Sequence, residues 1–222
     1  MIKAIFFDLD ETLIAVMEQH REANKKAFAD FGIDFRDIQK KTKEEEFLGR
    51  RLNDILQIML NVMEIPEEKI PLKTLLSKRQ EYFLELVKKN GVPLPGAKEA
   101  IITAKEKNKK VAIVSSGTRK YINLVIDLFQ LSKYIDFIVG EEDVLRGKPF
   151  PDCYEKAYNH LLNESNIKKN ECIVIEDSFN GVAAGRNAGL PVCFIPFFTP
   201  KELPQNVDYQ LASLKEFNTL PL

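Results

Sequence analysis

Four places along the chain bring together side chains that could do polar chemistry on a small anion. The first is Asp8-Leu9-Asp10-Glu11-Thr12, which follows the apolar run 2–7. That run reads as a buried strand, and in extended backbone residues i and i+2 project to the same side. Asp8 and Asp10 should converge at the strand's carboxyl end, where they repel each other and lose hydration on burial. A divalent cation compensates such a pair, and hard cations such as magnesium prefer carboxylate oxygens. A turn or helix N-cap is the competing explanation, because Asp is common in both. The second place, Ile173-Val174-Ile175-Glu176-Asp177, repeats the arrangement at the end of another apolar run.

The third place is Val114-Ser115-Ser116-Gly117-Thr118, a strand running into a hydroxyl-rich turn. Such a turn offers hydroxyls and backbone N–H groups to an anion, helped by the helix N-terminus that follows. The fourth is Arg146-Gly147-Lys148-Pro149-Phe150-Pro151. Its two prolines fix the backbone and aim the Lys148 ammonium, which could neutralise a phosphate or a phosphorylated carboxylate. Each feature has a plain structural explanation, whereas four together point to one site.

The elements that must position them alternate. Strands are expected over 2–7, 110–114, 134–139, 171–175 and 191–195, mostly as apolar runs without clean alternation. Helices are expected over 98–107, 120–129, 153–162 and 180–188, with apolar residues at helical spacing. That order predicts an α/β fold, a doubly wound, Rossmann-like parallel sheet, whose strand-end loops share one edge at the switch in strand order. Residues 16–91 break the rhythm. They read as amphipathic helices over 18–31, 43–48, 52–63 and 72–89, inserted after the first strand, with 91–96 as a proline-stiffened return. The expected division is a core of residues 1–15 and 92–222 and a helical cap of residues 16–91.

Composition excludes several classes. A net charge of −1 over 222 residues gives no basic field for nucleic acid. No apolar run approaches the roughly 20 residues of a spanning helix, so no membrane partner is expected. Asp8 interrupts the amino-terminal run, which lacks the order of a secretory leader. Cys153, Cys172 and Cys193 form no paired motif and read as thiols of a reducing compartment, so a cytoplasmic location is expected. No apolar interface stripe stands out, and a monomer is expected.

On these motifs the chain resembles the haloacid dehalogenase-like hydrolases. Asp8-x-Asp10-x-Thr12, Ser115, Lys148-Pro149 and Glu176-Asp177 match that family's four motifs in order. Gly147-Lys148-Pro149-x-Pro151-Asp152 and Glu176-Asp177-Ser178-x-x-Gly181 look most like the branch of β-phosphoglucomutase and related sugar-phosphate phosphatases. The resemblance implies that Asp8 is the nucleophile and Asp10 the acid–base group. It implies magnesium at Asp8, Glu176, Asp177 and the Asp10 carbonyl. Ser115 and the Leu9 and Asp10 N–H groups would hold phosphoryl oxygens, with Thr12, Ser116 and Gly117 beside them. Lys148 would neutralise charge. Substrate contacts from the cap would include His20, Arg50 and Arg51.

Two departures stand out. Glu11 occupies a position where the family often has glycine, and Ala15-Val16 replaces a frequent polar pair. A third, Leu52 where the mutases carry an arginine, weakens a mutase assignment. The expected function is a magnesium-dependent phosphatase acting on a small phosphorylated metabolite, such as a sugar phosphate, through an aspartyl-phosphate. A phosphomutase and a catalytically silent binding protein on the same fold remain the alternatives.

Overall fold

A computed structural model describes residues 1–43, 46–164, 166–197, 204 and 206–222. β1 (Ala4–Phe7) leads through a two-residue β2 (Ile14–Ala15) into four helices. These are α1 (Met17–Ala29), α2 (Phe35–Gln39), α3 (Leu52–Val62) and α4 (Leu72–Asn90), and the chain returns through β3 (Val92–Pro93). Then come α5 (Ala97–Glu106), β4 (Lys110–Val114), α6 (Arg119–Leu128), β5 (Phe137–Val139) and α7 (Asp152–Glu164). β6 (Cys172–Glu176), α8 (Phe179–Asn187), β7 (Val192–Phe194) and β8 (Tyr209–Gln210) complete the order.

Six strands form one parallel sheet in the order β5-β4-β1-β6-β7-β8. All four β1 residues are buried, as apolar strands covered on both faces must be. Ile5, Phe7, Val111, Ile113 and Ile175 pack on one face against α5, α6 and Phe217, while Phe6, Val114 and Val174 pack on the other against α7 and α8. The chain adds β4 and β5 on one side of β1 and then crosses to add β6, β7 and β8 on the other. The switch in strand order thus lies at β1. Register does the rest: Phe7 pairs with Ile113 and with Ile175. The residues that follow, Asp8 on one strand and Glu176 on the other, reach the same edge at the same height.

The inserted helices have their own apolar centre, built from Ala27, Phe28, Phe35, Ile38, Leu56, Met59, Leu60 and Leu75. Phe83 and Val87 of α4 and Ala23 of α1 belong instead to the cluster shared with the sheet. β2 and β3 pair antiparallel, Ile14 with Pro93 and Ala15 with Val92, and so bind the two connecting strands side by side.

The parallel α/β architecture expected from the sequence is the one found, with every expected core strand and helix present and ends shifted by at most three residues. Two-residue strands carry no period, so β2, β3 and β8 were not anticipated; the pairing of β3 lies within the segment expected to be a plain return. The five-residue α2 is held by the side chain of Asp34, which accepts from the Arg36 N–H. The helix expected over 43–48 falls in part on 44–45, outside the described residues, and Phe47 to Gly49 form turns. None of the described helices is long and apolar enough to cross a membrane.

Gly96 shows how tightly the return segment is packed. It has φ +87°, and a Cβ there would lie 2.4 Å from the Lys215 backbone N and 2.5 Å from the Leu214 carbonyl carbon. Backbone atoms of a packed turn cannot swing away. Gly96→Ala is expected to cost roughly 1–3 kcal/mol and to lower the thermal midpoint by several degrees; an unchanged midpoint would show that this junction is loose.

Candidate active site

Asp8 leaves β1 with its N–H donated to the Ile175 carbonyl at 3.0 Å, which fixes it beside the end of β6. Lys148 Nζ lies 2.5 Å from Asp8 Oδ1 and 2.5 Å from Glu176 Oε1, and donates to the Val114 carbonyl at 3.3 Å. The ammonium is buried and fully spent on three acceptors. Glu176 Oε1 also accepts from the Tyr154 hydroxyl at 2.6 Å, and its Oε2 accepts from Ser178 Oγ at 3.2 Å. Thr12 Oγ1 donates to Asp177 Oδ1 at 3.3 Å. Gly181 permits this packing, because a Cβ there would fall about 2.0 Å from the Glu176 carboxylate oxygens.

Asp8, Glu176 and Asp177 each offer an oxygen, and those oxygens lie within 4.8 Å of one another. All three are buried, against one lysine. Burial first, and then the Glu176 charge, pushes the Asp8 carboxyl well above the usual range despite Lys148; burial and the charges on Asp8 and Glu176 do the same to Asp177. Burial alone would lower the Lys148 ammonium, but the Asp8 and Glu176 carboxylates outweigh it and raise it. The cluster carries more negative charge than its own residues balance. Buried hard oxygens with surplus charge fit a divalent cation such as magnesium. The Asp10 side chain turns elsewhere.

Asp10 faces the inserted helices. Its Oδ1 accepts from the Tyr121 hydroxyl at 2.5 Å, and its Oδ2 lies 3.2 Å from His20 Nε2. Buried Arg79 donates through Nη2 to His20 Nδ1 and through Nε to Asn24 Oδ1 at 2.9 Å. A guanidinium can only donate, so Nδ1 is the bare nitrogen and Nε2 carries the proton toward Asp10. His20 is held neutral, its pKa lowered by burial and by the Arg79 charge. Burial works to raise Asp10, but the His20 and Tyr121 hydrogen bonds prevail and hold its carboxyl below the usual range. His20 stacks on Phe83 at 4.3 Å between ring centres, and Arg79 lies over the same ring at 4.6 Å.

These groups line a cleft of about 130 Å³ between the sheet edge and the inserted helices. Asp8, Asp10, Asp177, Ser115, Ser116, Gly117, His20 and Arg50 all reach it. Ser115 Oγ accepts from the Gly117 N–H at 3.0 Å, and Ser116 Oγ donates to the Gly49 carbonyl at 2.7 Å. Leu9 is wholly buried and Thr12 nearly so. Arg50 donates through Nε to the Glu46 carbonyl at 2.9 Å. Arg51 does not line the cleft. It donates to the Val144 and Leu145 carbonyls at 2.7 and 2.8 Å, and its stem crosses Gly147, where a Cβ would lie 2.8 Å from Arg51 Cγ. Asn180 adds a bond to the Leu48 carbonyl at 2.7 Å. The segment 48–51 is thereby seated on the loops that carry Ser116, Lys148 and Asn180.

Residues 5–195 match the family model described as haloacid dehalogenase-like hydrolase. The chain belongs to the haloacid dehalogenase-like hydrolases. Protein CbbY of Cereibacter sphaeroides is 27% identical, over 99% of this chain and 96% of its own. A phosphorylated carbohydrates phosphatase of Thermotoga maritima is 27% identical, over 85% of this chain and 82% of its own. The crystal structure of CbbY from Rhodobacter sphaeroides in complex with phosphate is 25% identical with a TM-score of 0.80, covering 97% of this chain and 96% of that one. Other relatives are named phosphatases, among them hexitol phosphatase B of Escherichia coli, 24% identical over 100% of this chain and 96% of its own.

Sequence reasoning did not single out Tyr121, Tyr154 or Arg79. The first two stand at apolar positions of α6 and α7, where the hydroxyl is invisible to periodicity, and Arg79 looks like any other charge on α4. Removing the Tyr121 hydroxyl takes away one of the donors that favour ionised Asp10. With Asp10 as the acid–base group, as proposed below, Tyr121→Phe is expected to raise the Asp10 pKa and move the limb of the pH–rate profile that it governs to higher pH. A profile that does not move, measured on p-nitrophenyl phosphate with magnesium, would separate Tyr121 from the acid–base group.

Proposed function

We propose that this chain is a magnesium-dependent phosphatase that hydrolyses a small phosphorylated metabolite, with a sugar phosphate as the preferred class, through an aspartyl-phosphate on Asp8. The observation that carries the reading is the buried Asp8, held by Lys148 beside Glu176 and Asp177 at the switch in strand order. The hydrolase family and the named phosphatase relatives agree with it.

In this reading Asp8 attacks phosphorus along the line opposite the leaving oxygen. Lys148 offsets charge on Asp8 and on the phosphoryl oxygens. Ser115 Oγ and the N–H groups of the Asp8-to-Asp10 turn hold those oxygens. Asp8, Asp177 and the Asp10 carbonyl, with Glu176 beside them, would hold magnesium, which when bound would supply electrostatic stabilisation of the phosphoryl group. Glu176 is already committed to Lys148, Tyr154 and Ser178, so its main part is to orient the lysine.

Asp10 serves twice: it protonates the leaving oxygen and then takes a proton from water. Its two donors, Tyr121 and His20, match the ionised form that the second step needs. For the first step the arriving phosphate dianion raises the Asp10 pKa by proximity. Residues 16–91 act as a cap that closes over the cleft, excludes water and brings Arg50 to the alcohol part of the substrate. A phosphomutase would use the same Asp8 and Asp10; none of the contacts described here favours it.

The test is phosphate release across a panel of phosphorylated sugars and p-nitrophenyl phosphate, with magnesium and with chelator. Release that needs magnesium and disappears in a folded Asp8→Asn variant is expected. Release that survives Asp8→Asn rules out the nucleophile assignment. Isomerised sugar phosphate without free phosphate makes the chain a mutase.

A further inference from the structure

Two departures from the family's pattern lie five residues apart, and the structure joins them. Glu11 occupies a left-handed backbone position, φ +56°, which favours glycine. Its side chain is buried, and Oε1 accepts from the N–H groups of Val16 and Met17 at 2.8 and 2.6 Å. Oε2 is buried with no partner. These two N–H groups open α1, whose N-cap residue, Val16, has no side-chain oxygen to offer. The side-chain acceptor that Val16 lacks is supplied by Glu11. A strained backbone and a half-satisfied buried carboxylate are kept together only where the side chain has work to do.

That work concerns the site. The loop bearing Glu11 is tied to the sheet edge by the Asp8 N–H bond to Ile175 and by Thr12 on Asp177. The helix it caps carries His20, one turn on, against Asp10. The crossing is also tied by the two-residue pairing of β2 with β3 and by the Leu94 N–H, which donates to the Leu13 carbonyl at 2.9 Å. We propose that Glu11 is a positioning residue: it sets the direction in which α1 leaves the core, and so holds His20 in register with Asp10. The proposal rests on the reading of Asp10 as the acid–base group, but its first two measurements do not require turnover.

The chain has only two histidines, His20 and His160, so the ring nitrogens of His20 can be resolved by 15N NMR. Glu11→Gly removes the carboxylate and relaxes the backbone. Glu11→Gln keeps an accepting oxygen. Glu11→Ala, which loses the carboxylate but keeps a Cβ, stands in if the glycine variant fails to fold.

Wild type should show the neutral His20 tautomer with the proton on Nε2, and slow amide exchange at 16–17. In Glu11→Gly the two His20 signals should move toward averaged tautomers and exchange at 16–17 should rise at least tenfold, with the thermal midpoint unchanged or higher. Glu11→Gln should resemble wild type in both. Where wild type hydrolyses p-nitrophenyl phosphate, kcat should fall about tenfold in the glycine variant and recover in the glutamine variant.

A purely structural role predicts a stability change without a His20 signature. Unmoved His20 signals in Glu11→Gly overturn the proposal, as does a glutamine variant that behaves like the glycine one. A wild type without phosphatase activity removes the proposed function, yet the NMR and exchange outcomes still decide the role of Glu11.

Discussion

Three buried carboxylates around one buried ammonium, at the carboxyl edge of a parallel sheet, set the terms for the rest of the molecule. Lys148 touches Asp8 and Glu176 and uses its last contact on a backbone carbonyl, so it has nothing left for Asp177. Such a cluster stands only if the surrounding structure over-determines it, because each partner lost leaves an uncompensated charge in a low-dielectric site, worth roughly 3–5 kcal/mol. The sheet supplies that. Parallel pairing in register fixes Asp8 against Ile175, a tyrosine from α7 and a serine at the start of α8 pin Glu176, and Gly181 leaves room for its carboxylate. What remains uncompensated is negative charge beside the cleft, which fits the edge to a cation.

The inserted helices answer a different need. Charge interactions weaken steeply when water enters, so the site gains from a cover that seats in one position. The segment 48–51 is seated by backbone carbonyls as much as by side chains: Gly49 and Leu48 accept from the core, and Arg51 donates to it. Gly49, at φ +75°, lies so close to Ser178 that a Cβ would come within 2.5 Å of its Oγ. The contacts run to the loops that carry Ser116, Lys148 and the Glu176-Asp177 pair, so the position of the cover and the geometry of the charged floor are set by shared residues. Arg51, which by its type could have met an anion, is used instead to hold the cover down.

Much of this was legible in the sequence because the burial pattern and the chemistry coincide. A strand that must be apolar and ends on two acids announces both an element and a site, and it does so twice, at Asp8 and at Glu176. The parallel sheet followed from runs such as Val111 to Val114, whose side chains are buried on both faces. What escaped notice had no period or no distinctive residue type. β2 and β3 are two residues each. The hydroxyls of Tyr121 and Tyr154 ride on helix faces that look merely apolar. Arg79 is among the most deeply buried large side chains of the molecule, yet in sequence it is one charge among many on α4. Glu11 was visible as a departure, but its meaning depended on a helix start that only the fold brings near.

The network on the cap side also fixes the order in which protons can be placed. Arg79 cannot accept a hydrogen bond, so His20 must present Nδ1 to it and direct its proton at Asp10. Tyr121 directs a second proton at the other oxygen of the same carboxylate. Asp10 at rest is an acceptor on both sides, which in the proposed function readies it to take a proton from water and not to give one to a leaving alcohol. A substrate changes that balance only by coming close enough for its own negative charge to oppose the ionised form. In the proposed function the protonated state of Asp10 is thereby coupled to an occupied phosphoryl site. The buried arginine acts at a distance of two residues: by choosing the histidine tautomer it directs a proton at Asp10 and so favours the ionised carboxylate.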